Sequence, residues 1–392
     1  MYERDFVRTI ADRLGEPRSF LQIVVGPRQT GKSTAVAQAL GHVGLPTVEF
    51  SFDRPRDLRA RKLEEEWERA RRLASKEGEA VLFLDEVQKV PEWSGTVKAL
   101  WDEDTRGGCP LKVVLAGSSS LLLERGMSDS LAGRYEEVRS THWTLAECRE
   151  AFGYSLDDFL FFGGFPGGAA LRHDEGRWLD YLRSSIIDAT LNQDVLQLET
   201  VRKPALLRAL FDVGAAYSAQ EISYRKLLGQ LDDRGNTDTI AHYLDLLGQA
   251  GLMSGLQRYS EKALTSKGSS PLLLVHDTAL MVAASYDERA LLLRDPERRG
   301  HLVETAVGAY LLARGKKEHF SLYWWRDGSD EVDFVVRQGR RRTAIEVKSG
   351  RVKGTRGLGR FVREFPGTYA LVVGSEAFPV EDFLLGKVAL FQ

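Results

Sequence analysis

The chain has 392 residues, 43% of them hydrophobic and 28% charged, with a net charge of −2. That is room for two or three packed domains at roughly 150 residues each, and two cysteines, Cys109 and Cys148, exclude a disulfide framework or a cysteine-based metal site. Charges throughout residues 1–20 exclude an ordinary secretory signal, and no apolar run approaches the roughly 18–20 residues that span a bilayer. A cytoplasmic protein with reduced thiols and no membrane partner is therefore expected.

Residues 1–20 predict a helix with Phe6, Ile10 and Leu14 on its core face. Leu21–Val25 is an apolar run that reads as a buried strand. The stretch Gly26, Pro27, Arg28, Gln29, Thr30, Gly31, Lys32, Ser33, Thr34 then fits the phosphate-loop pattern G-x-x-x-x-G-K-[ST] at every required position, and a helix follows it. Glycines let the backbone curl so that successive N–H groups face phosphate, and the helix start adds partial positive charge. Lys32 is expected to reach the β- and γ-phosphates of ATP, and Ser33 to hold Mg²⁺. Pro46–Phe52 predicts a second strand. Arg56–Ser75 predicts an amphipathic helix with Leu63, Trp67, Ala70 and Ala74 buried and a solvated, ion-paired outer face. Ala80–Leu84 is a further buried strand, ending in Asp85 and Glu86. Ligands of open parallel sheets bind beyond the carboxyl ends of the strands. Asp85 is thus expected on Mg²⁺ and Glu86 on the attacking water.

Leu111–Ala116 predicts another strand, followed by Gly117 and three serines. Ser118 or Ser119 reads as a contact to the γ-phosphate or water, or as a helix N-cap. Arg134 reads as an arginine finger or γ-phosphate sensor, in cis or across a subunit interface, or else as a surface ion pair. If it acts across an interface, the protein is a homo-oligomer. Trp143–Leu198 has a helical pattern broken by the glycine cluster at 163–168. Helices are expected from about Ala205 to Val213, from Ser218 to near Leu231 and from Thr237 to Ala250, then a strand pair within Leu252–Tyr259. Three helices and a hairpin are the winged-helix arrangement, whose third helix enters a DNA major groove.

The last hundred residues hold a second constellation. Glu304 lies near the start of a helix, Asp333 on a strand, and Glu346 and Lys348 at i and i+2 on the next strand, where alternation places them on one face. Asp333 and Glu346, with Glu304, are expected to make an oxygen site for Mg²⁺ or Mn²⁺, and Lys348 would neutralise developing charge. Arg337, Arg340, Arg341, Arg342, Arg351, Lys353, Arg356, Arg360 and Arg363 crowd the same region with few acids among them, a pattern suited to DNA phosphates.

Several of these stretches resemble one bacterial and archaeal group of AAA-type ATPases. They are Gly-Pro-Arg-Gln-Thr-Gly-Lys-Ser from Gly26, Leu-Asp-Glu-Val-Gln-Lys-Val-Pro from Leu84, Ala-Gly-Ser-Ser-Ser from Ala116 and Leu-Ala-Gly-Arg ending at Arg134. The glycine turn at 163–168, Trp325-Arg326, Glu331–Phe334 and Ile345–Lys348 continue the likeness, while Pro271-Leu272 departs from the group's usual Pro-Lys pair. The C-terminal set also resembles the PD-(D/E)xK nuclease superfamily. The resemblance implies an α/β parallel-sheet P-loop ATPase core at 1–142, a helical lid at 143–202, a winged helix at 203–262 and a nuclease-like α/β domain at 263–392. It implies an ATP-hydrolysing, DNA-binding protein that is a metal-dependent DNA nuclease, or an ATP-switched DNA-binding regulator with an inert nuclease-like domain.

Overall fold

The computed structural model describes residues 2–117, 130–196, 201–231, 236–261, 270–285, 287–350 and 354–392. The chain divides into two compact units, Met1–Thr141 and His142–Gln392.

In the first unit the strands are β1 (Leu21–Val25), β2 (Thr47–Ser51), β3 (Ala80–Asp85), β4 (Leu111–Ala116) and β5 (Tyr135–Arg139). They form one parallel sheet in the order β2-β3-β4-β1-β5. The three central strands are the largely apolar runs, buried along their length up to the partly exposed Asp85, since helices cover both faces. One face packs Val24, Val81 and Val114 against α1 (Asp5–Gly15) and α2 (Lys32–Val43), through Phe6, Ile10, Leu14 and Val36. The other packs Leu21, Ile23 and Leu82 against α3 (Ala60–Glu77) and α4 (Trp93–Gly107). Leu63, Trp67, Ala70 and Ala74 of α3 are all fully buried, as the spacing predicts. The outer face of α3 carries the expected pair Arg61–Glu65, whereas Lys62 pairs with Glu66, which is buried. Parallel register brings every strand's carboxyl end to one edge, so the phosphate loop after β1 and the acids after β3 share that edge.

The second unit begins with two short helices, α5 (Leu145–Phe152) and α6 (Leu156–Phe162). Capping boxes start both, at Thr144 with Glu147 and at Ser155 with Asp158. Helix α6 ends at Gly163, whose φ of +63° leaves the helix, and Gly164 admits no side chain because a Cβ would stand 2.2 Å from the Trp143 carbonyl oxygen. Helix α7 (Glu175–Tyr181) continues into two π-helical stretches, Leu182–Asp188 and Thr190–Val195.

Next come α8 (Pro204–Ala216), β6 (Gln220–Glu221), α9 (Tyr224–Gln230), α10 (Thr237–Gln249), β7 (Met253–Leu256) and β8 (Leu272–Val275). The three strands form an antiparallel sheet ordered β6-β8-β7. Two sequence expectations are corrected here. The helix expected from Ser218 begins only at Tyr224, because Ser223 caps it by accepting from the Lys226 N–H (3.2 Å). The Ala219 N–H goes instead to the Leu273 carbonyl. The strand pair expected within Leu252–Tyr259 is a single strand, β7, whose partner is β8, beyond the boundary expected at 262.

The remaining helices are α11 (Thr278–Ser285), α12 (Arg289–Arg294), α13 (Pro296–Glu318), α14 (Arg356–Glu364) and α15 (Val380–Leu384). With them lies a four-stranded sheet ordered β12-β11-β10-β9, made of β9 (Ser321–Asp327), β10 (Asp330–Gln338), β11 (Arg341–Val347) and β12 (Thr368–Val373). Strands β9 to β11 are an antiparallel meander, and β12 joins β11 in parallel. The Tyr259 N–H donates to the Trp324 carbonyl (2.6 Å), so chain from the preceding module pairs with β9. Trp324 and Trp325 are both buried and offer no stacking face to a base.

Candidate nucleotide and metal sites

The phosphate loop joins β1 to α2 through a curl that requires unusual backbone. Gly26 has φ +148°, Gln29 +60° and Gly31 +86°. A Cβ on Gly26 would stand 2.2 Å from the Ser140 carbonyl oxygen, so both the dihedral and the packing demand glycine. Lys32 is buried and folds back along the loop, donating to the carbonyls of Gly26 (2.9 Å) and Pro27 (2.6 Å). Thr30 is fully buried beneath the loop, whereas Ser33 and Thr34 are exposed at the helix start.

Ser33 and Asp85, the two residues expected on Mg²⁺, are brought together: the Ser33 hydroxyl donates to Asp85 Oδ2 at 2.6 Å. Burial raises the Asp85 carboxyl, and the charges of Glu86 and Asp53 add to this, against the pull of the Ser33 hydroxyl and the Glu86 N–H. A hydroxyl beside a carboxylate strained by burial is a donor set that suits a hard divalent cation. Glu86 has φ +56°, in the left-handed region that non-glycine residues seldom adopt. It opens the 3₁₀ turn Val87–Lys89, which brings two side chains back to its carboxylate. Gln88 donates to Glu86 Oε2 at 2.9 Å, and Lys89 lies 3.0 Å from the same oxygen while also bonding Asp53. The Gln88 amide lies so close to Gly117 that a Cβ there would be 1.9 Å from its oxygen. Gln88 stands inside a motif visible in the sequence, yet nothing in its spacing marks it as a partner of Glu86.

Arg134 is at the other end of the sheet. Its carbonyl accepts from Leu21 N–H at the start of β1, whereas the phosphate loop follows the end of β1. Five strand residues separate the two ends, about 16 Å at the usual strand rise, more than an arginine side chain spans. The cis finger or sensor role expected for Arg134 is thereby corrected. Here Arg134 forms a two-pronged ion pair with Asp102, at 2.7 and 3.0 Å. Ser118 and Ser119 lie outside the described residues.

In the second unit, the pairing of Phe334 with Ile345 places Asp333 opposite Glu346 on adjoining strands. The β9–β10 register shifts between Val332 and Val335, a bulge that re-aims Asp333. Its Oδ2 accepts from the Val347 N–H at 2.7 Å. Lys348 donates to Glu346 Oε1 at 2.6 Å, the same-face contact expected at i and i+2. Burial pushes the Asp333 carboxyl well up, and the charges of Glu346 and Glu304 push it further. Burial also raises Glu346, more than Lys348 lowers it. Burial pulls Lys348 down, but Glu346, Asp333 and Glu304 outweigh it and hold its ammonium above the usual range. Glu304 sits on α13 with His301 Nδ1 3.6 Å away. Glu346 Oε2 is buried with no hydrogen-bond partner among the described residues. Crowded buried carboxylates with an orphaned oxygen fit a divalent cation. However, the expected trio of Glu304, Asp333 and Glu346 is not drawn into a ready ligand set: no group of three or more His, Cys, Asp or Glu among the described residues is arranged to hold a metal.

The basic stretch is less free than its sequence suggests. Arg360 bonds Asp327 and Asp330, Arg356 pairs with Asp330 at 3.0 Å, and Arg342 bonds Glu261 and the Tyr259 hydroxyl. Those acids come from distant segments. Arg337, Arg340, Arg341 and Arg363 are exposed, and Arg351 and Lys353 lie outside the described residues.

Comparison with known proteins finds three matching segments. Residues 18–148 match the AAA domain, 153–290 a domain of unknown function (DUF8612), and 299–388 a second domain of unknown function (DUF4143). No curated protein matches. Among solved structures, a point variant of Thermotoga maritima RuvB is 16% identical, covering 66% of this chain and 90% of its own, with a TM-score of 0.32. AMPPCP-bound DnaA from Aquifex aeolicus is 15% identical, covering 62% and 86%, also with a TM-score of 0.32. No functional reading follows from likenesses this distant. Among the described residues no helix is long and apolar enough to cross a membrane. The segment 18–148, with its phosphate loop and its paired Ser33 and Asp85, is similar in sequence to the AAA domain.

Proposed function

We propose that the protein hydrolyses ATP at the phosphate loop and uses that cycle to control a DNA-binding, metal-dependent nuclease in its C-terminal part. The carrying observation is that Ser33 meets Asp85 at the carboxyl edge of the sheet, with Glu86 next in the chain. Loop N–H groups and Lys32 bind the phosphates, for which Lys32 must leave the carbonyls of Gly26 and Pro27. Ser33 and Asp85 hold Mg²⁺, which when bound neutralises phosphate charge. Glu86 orients the attacking water and takes its proton once Gln88 and Lys89 give it room. Arg134 acts across a subunit interface in a homo-oligomer, exchanging Asp102 for a neighbour's γ-phosphate.

The order helix, strand, helix, helix, strand, strand in 204–275 supports reading this module as a winged helix. In that reading Asn236, Thr237 and Thr239, at the start of α10, face DNA. Asp333 and Glu346 hold Mg²⁺ or Mn²⁺, which would supply an activated water. Glu304 would complete the metal site, and Lys348 would stabilise charge on the phosphate. The test is cleavage of labelled linear, forked and four-way DNA with either metal, with and without ATP, beside Glu346→Ala. Cutting that requires Glu346 supports the proposal.

A second reading has one observation in its favour. The absence of a ready three-ligand set among the described residues suits an ATP-switched DNA-binding regulator whose nuclease-like site is inert. DNA binding without cutting, unchanged in Glu346→Ala, would select it.

A further inference from the structure

Arg4 precedes α1 in sequence yet is only 5% exposed. Its guanidinium lies beneath the phosphate loop. One nitrogen, Nη1, donates to the Thr30 carbonyl (3.2 Å), the Ser140 hydroxyl (3.1 Å) and the Thr141 carbonyl (2.9 Å). The Ser140 hydroxyl donates to Thr30 Oγ1 at 2.9 Å, and Thr30 Oγ1 donates to the Pro27 carbonyl at 3.0 Å. The Ser140 N–H closes onto the Val25 carbonyl at 2.8 Å, just before the loop. A buried chain of hydrogen bonds therefore runs from Arg4 through Ser140 and Thr30 to Pro27, with Gly26 pressed on the Ser140 backbone.

The chemistry of that chain is specific. A phosphate loop works by turning its N–H groups toward the ligand, which requires its carbonyls to turn away. Carbonyls turned away need donors of their own when buried. Arg4 and Thr30 supply those donors to the carbonyls of Thr30 and Pro27. A guanidinium is planar and always charged, and the single nitrogen Nη1 of Arg4 is shared among the Thr30 carbonyl, the Ser140 hydroxyl and the Thr141 carbonyl. Lysine at this position would offer a compact ammonium on a flexible stem in place of the planar group.

We infer that Arg4 is a positioning residue for nucleotide binding: it pre-shapes the phosphate loop from beneath. This rests on the reading of residues 26–34 as the nucleotide site. Because a pre-shaped loop favours bound ATP in its ground and transition states alike, loss of Arg4 weakens binding and leaves turnover at saturation little changed.

The test is titration of the full-length protein with a fluorescent ATP analogue, alongside steady-state hydrolysis and thermal melting, for wild type, Arg4→Ala, Arg4→Lys, Ser140→Ala and Lys32→Ala. A hydrogen bond made by a charged group is worth about a tenfold change in an equilibrium, so Kd should rise by about that factor in Arg4→Ala. KM should follow Kd while kcat stays within about twofold. Added guanidinium ion should restore part of the affinity, and Arg4→Lys should fall between. If Arg4→Ala does not fold, Ser140→Ala, which removes the hydroxyl that relays Arg4 to Thr30 Oγ1 while leaving the direct bond to the Thr30 carbonyl, should weaken binding several-fold with its melting temperature kept. Wild-type Kd in folded Arg4→Ala, or in Ser140→Ala when that is the only folded variant, overturns the inference provided Lys32→Ala has lost binding. If Lys32→Ala binds the analogue as wild type does, the nucleotide-site reading itself falls, and this inference with it.

Discussion

Glu346→Gln separates a metal site from an inert salt bridge without relying on catalysis. Both Asp333 and Glu346 titrate above their ordinary range, chiefly because they are buried. In the unfolded chain they titrate near about pH 4. A folded value above the unfolded one means the folded state keeps protons that the unfolded state has released. The stability these two groups contribute is therefore complete below about pH 4 and declines as pH rises through their raised values. Substituting Gln removes one of two facing charges. For charges about 5 Å apart in an effective dielectric of about 20, the relieved repulsion is at most about 3 kcal/mol. Loss of the Lys348–Glu346 pair offsets part of it. At about 2–4 °C per kcal/mol for a domain of this size, the variant should melt several degrees above wild type near pH 8 in chelator. Mn²⁺ should reverse the order: it raises the wild-type melting temperature near pH 8, raises it less near pH 5, and leaves Glu346→Gln unmoved. Differential scanning fluorimetry across pH, with and without Mn²⁺, reads all of this. A wild type indifferent to Mn²⁺ at every pH, or a variant that responds as wild type does, would refute the argument.

Gly26→Ala places a Cβ 2.2 Å from the Ser140 carbonyl oxygen at φ +148°. It should lower stability by about 1–3 kcal/mol and abolish analogue binding, as melting and titration would show; normal binding would mean that the loop tolerates a side chain. Gln88→Leu removes the donor to Glu86 while filling the same space. It should lower kcat by about tenfold or more with KM and melting temperature kept, since an oriented general base contributes at the transition state; an unchanged kcat would dismiss Gln88. Arg134→Ala and Lys32→Ala should each be inactive alone and regain activity when mixed, because one then supplies the nucleotide site and the other the arginine. Full activity of Arg134→Ala by itself would leave the residue as the Asp102 ion pair seen here.

The parts of the fold legible in the sequence are those whose determinants are local. The phosphate loop needs particular residues at fixed spacing, and Gly26 and Gly31 have the positive φ that explains two of them. The helical stripe through Trp67 and the facing of Asp333 and Glu346 follow from the repeat lengths of helix and strand. Long-range partners left no such mark. Arg4 meets Ser140 across 136 positions, and nothing near Arg4 signals that contact. Strand β7 finds its partner in β8 across an intervening segment, so a hairpin sought within Leu252–Tyr259 was misplaced. The basic run from Arg337 to Arg363 has few acids within it, but Asp327 and Asp330 before it and Glu261 from elsewhere neutralise part of it. Arg134 follows a glycine in a suggestive motif, yet only strand direction reveals that it stands at the amino edge of the sheet.

ATP turnover by the purified protein, measured with Lys32→Ala and Glu86→Gln in parallel, tests the central claim most directly. The wild type should hydrolyse ATP in a Mg²⁺-dependent manner. Lys32→Ala should neither bind nor hydrolyse, and Glu86→Gln should bind without hydrolysing. Turnover in either variant at the wild-type rate would contradict the assignment of residues 26–34 and 85–86 as the ATPase site.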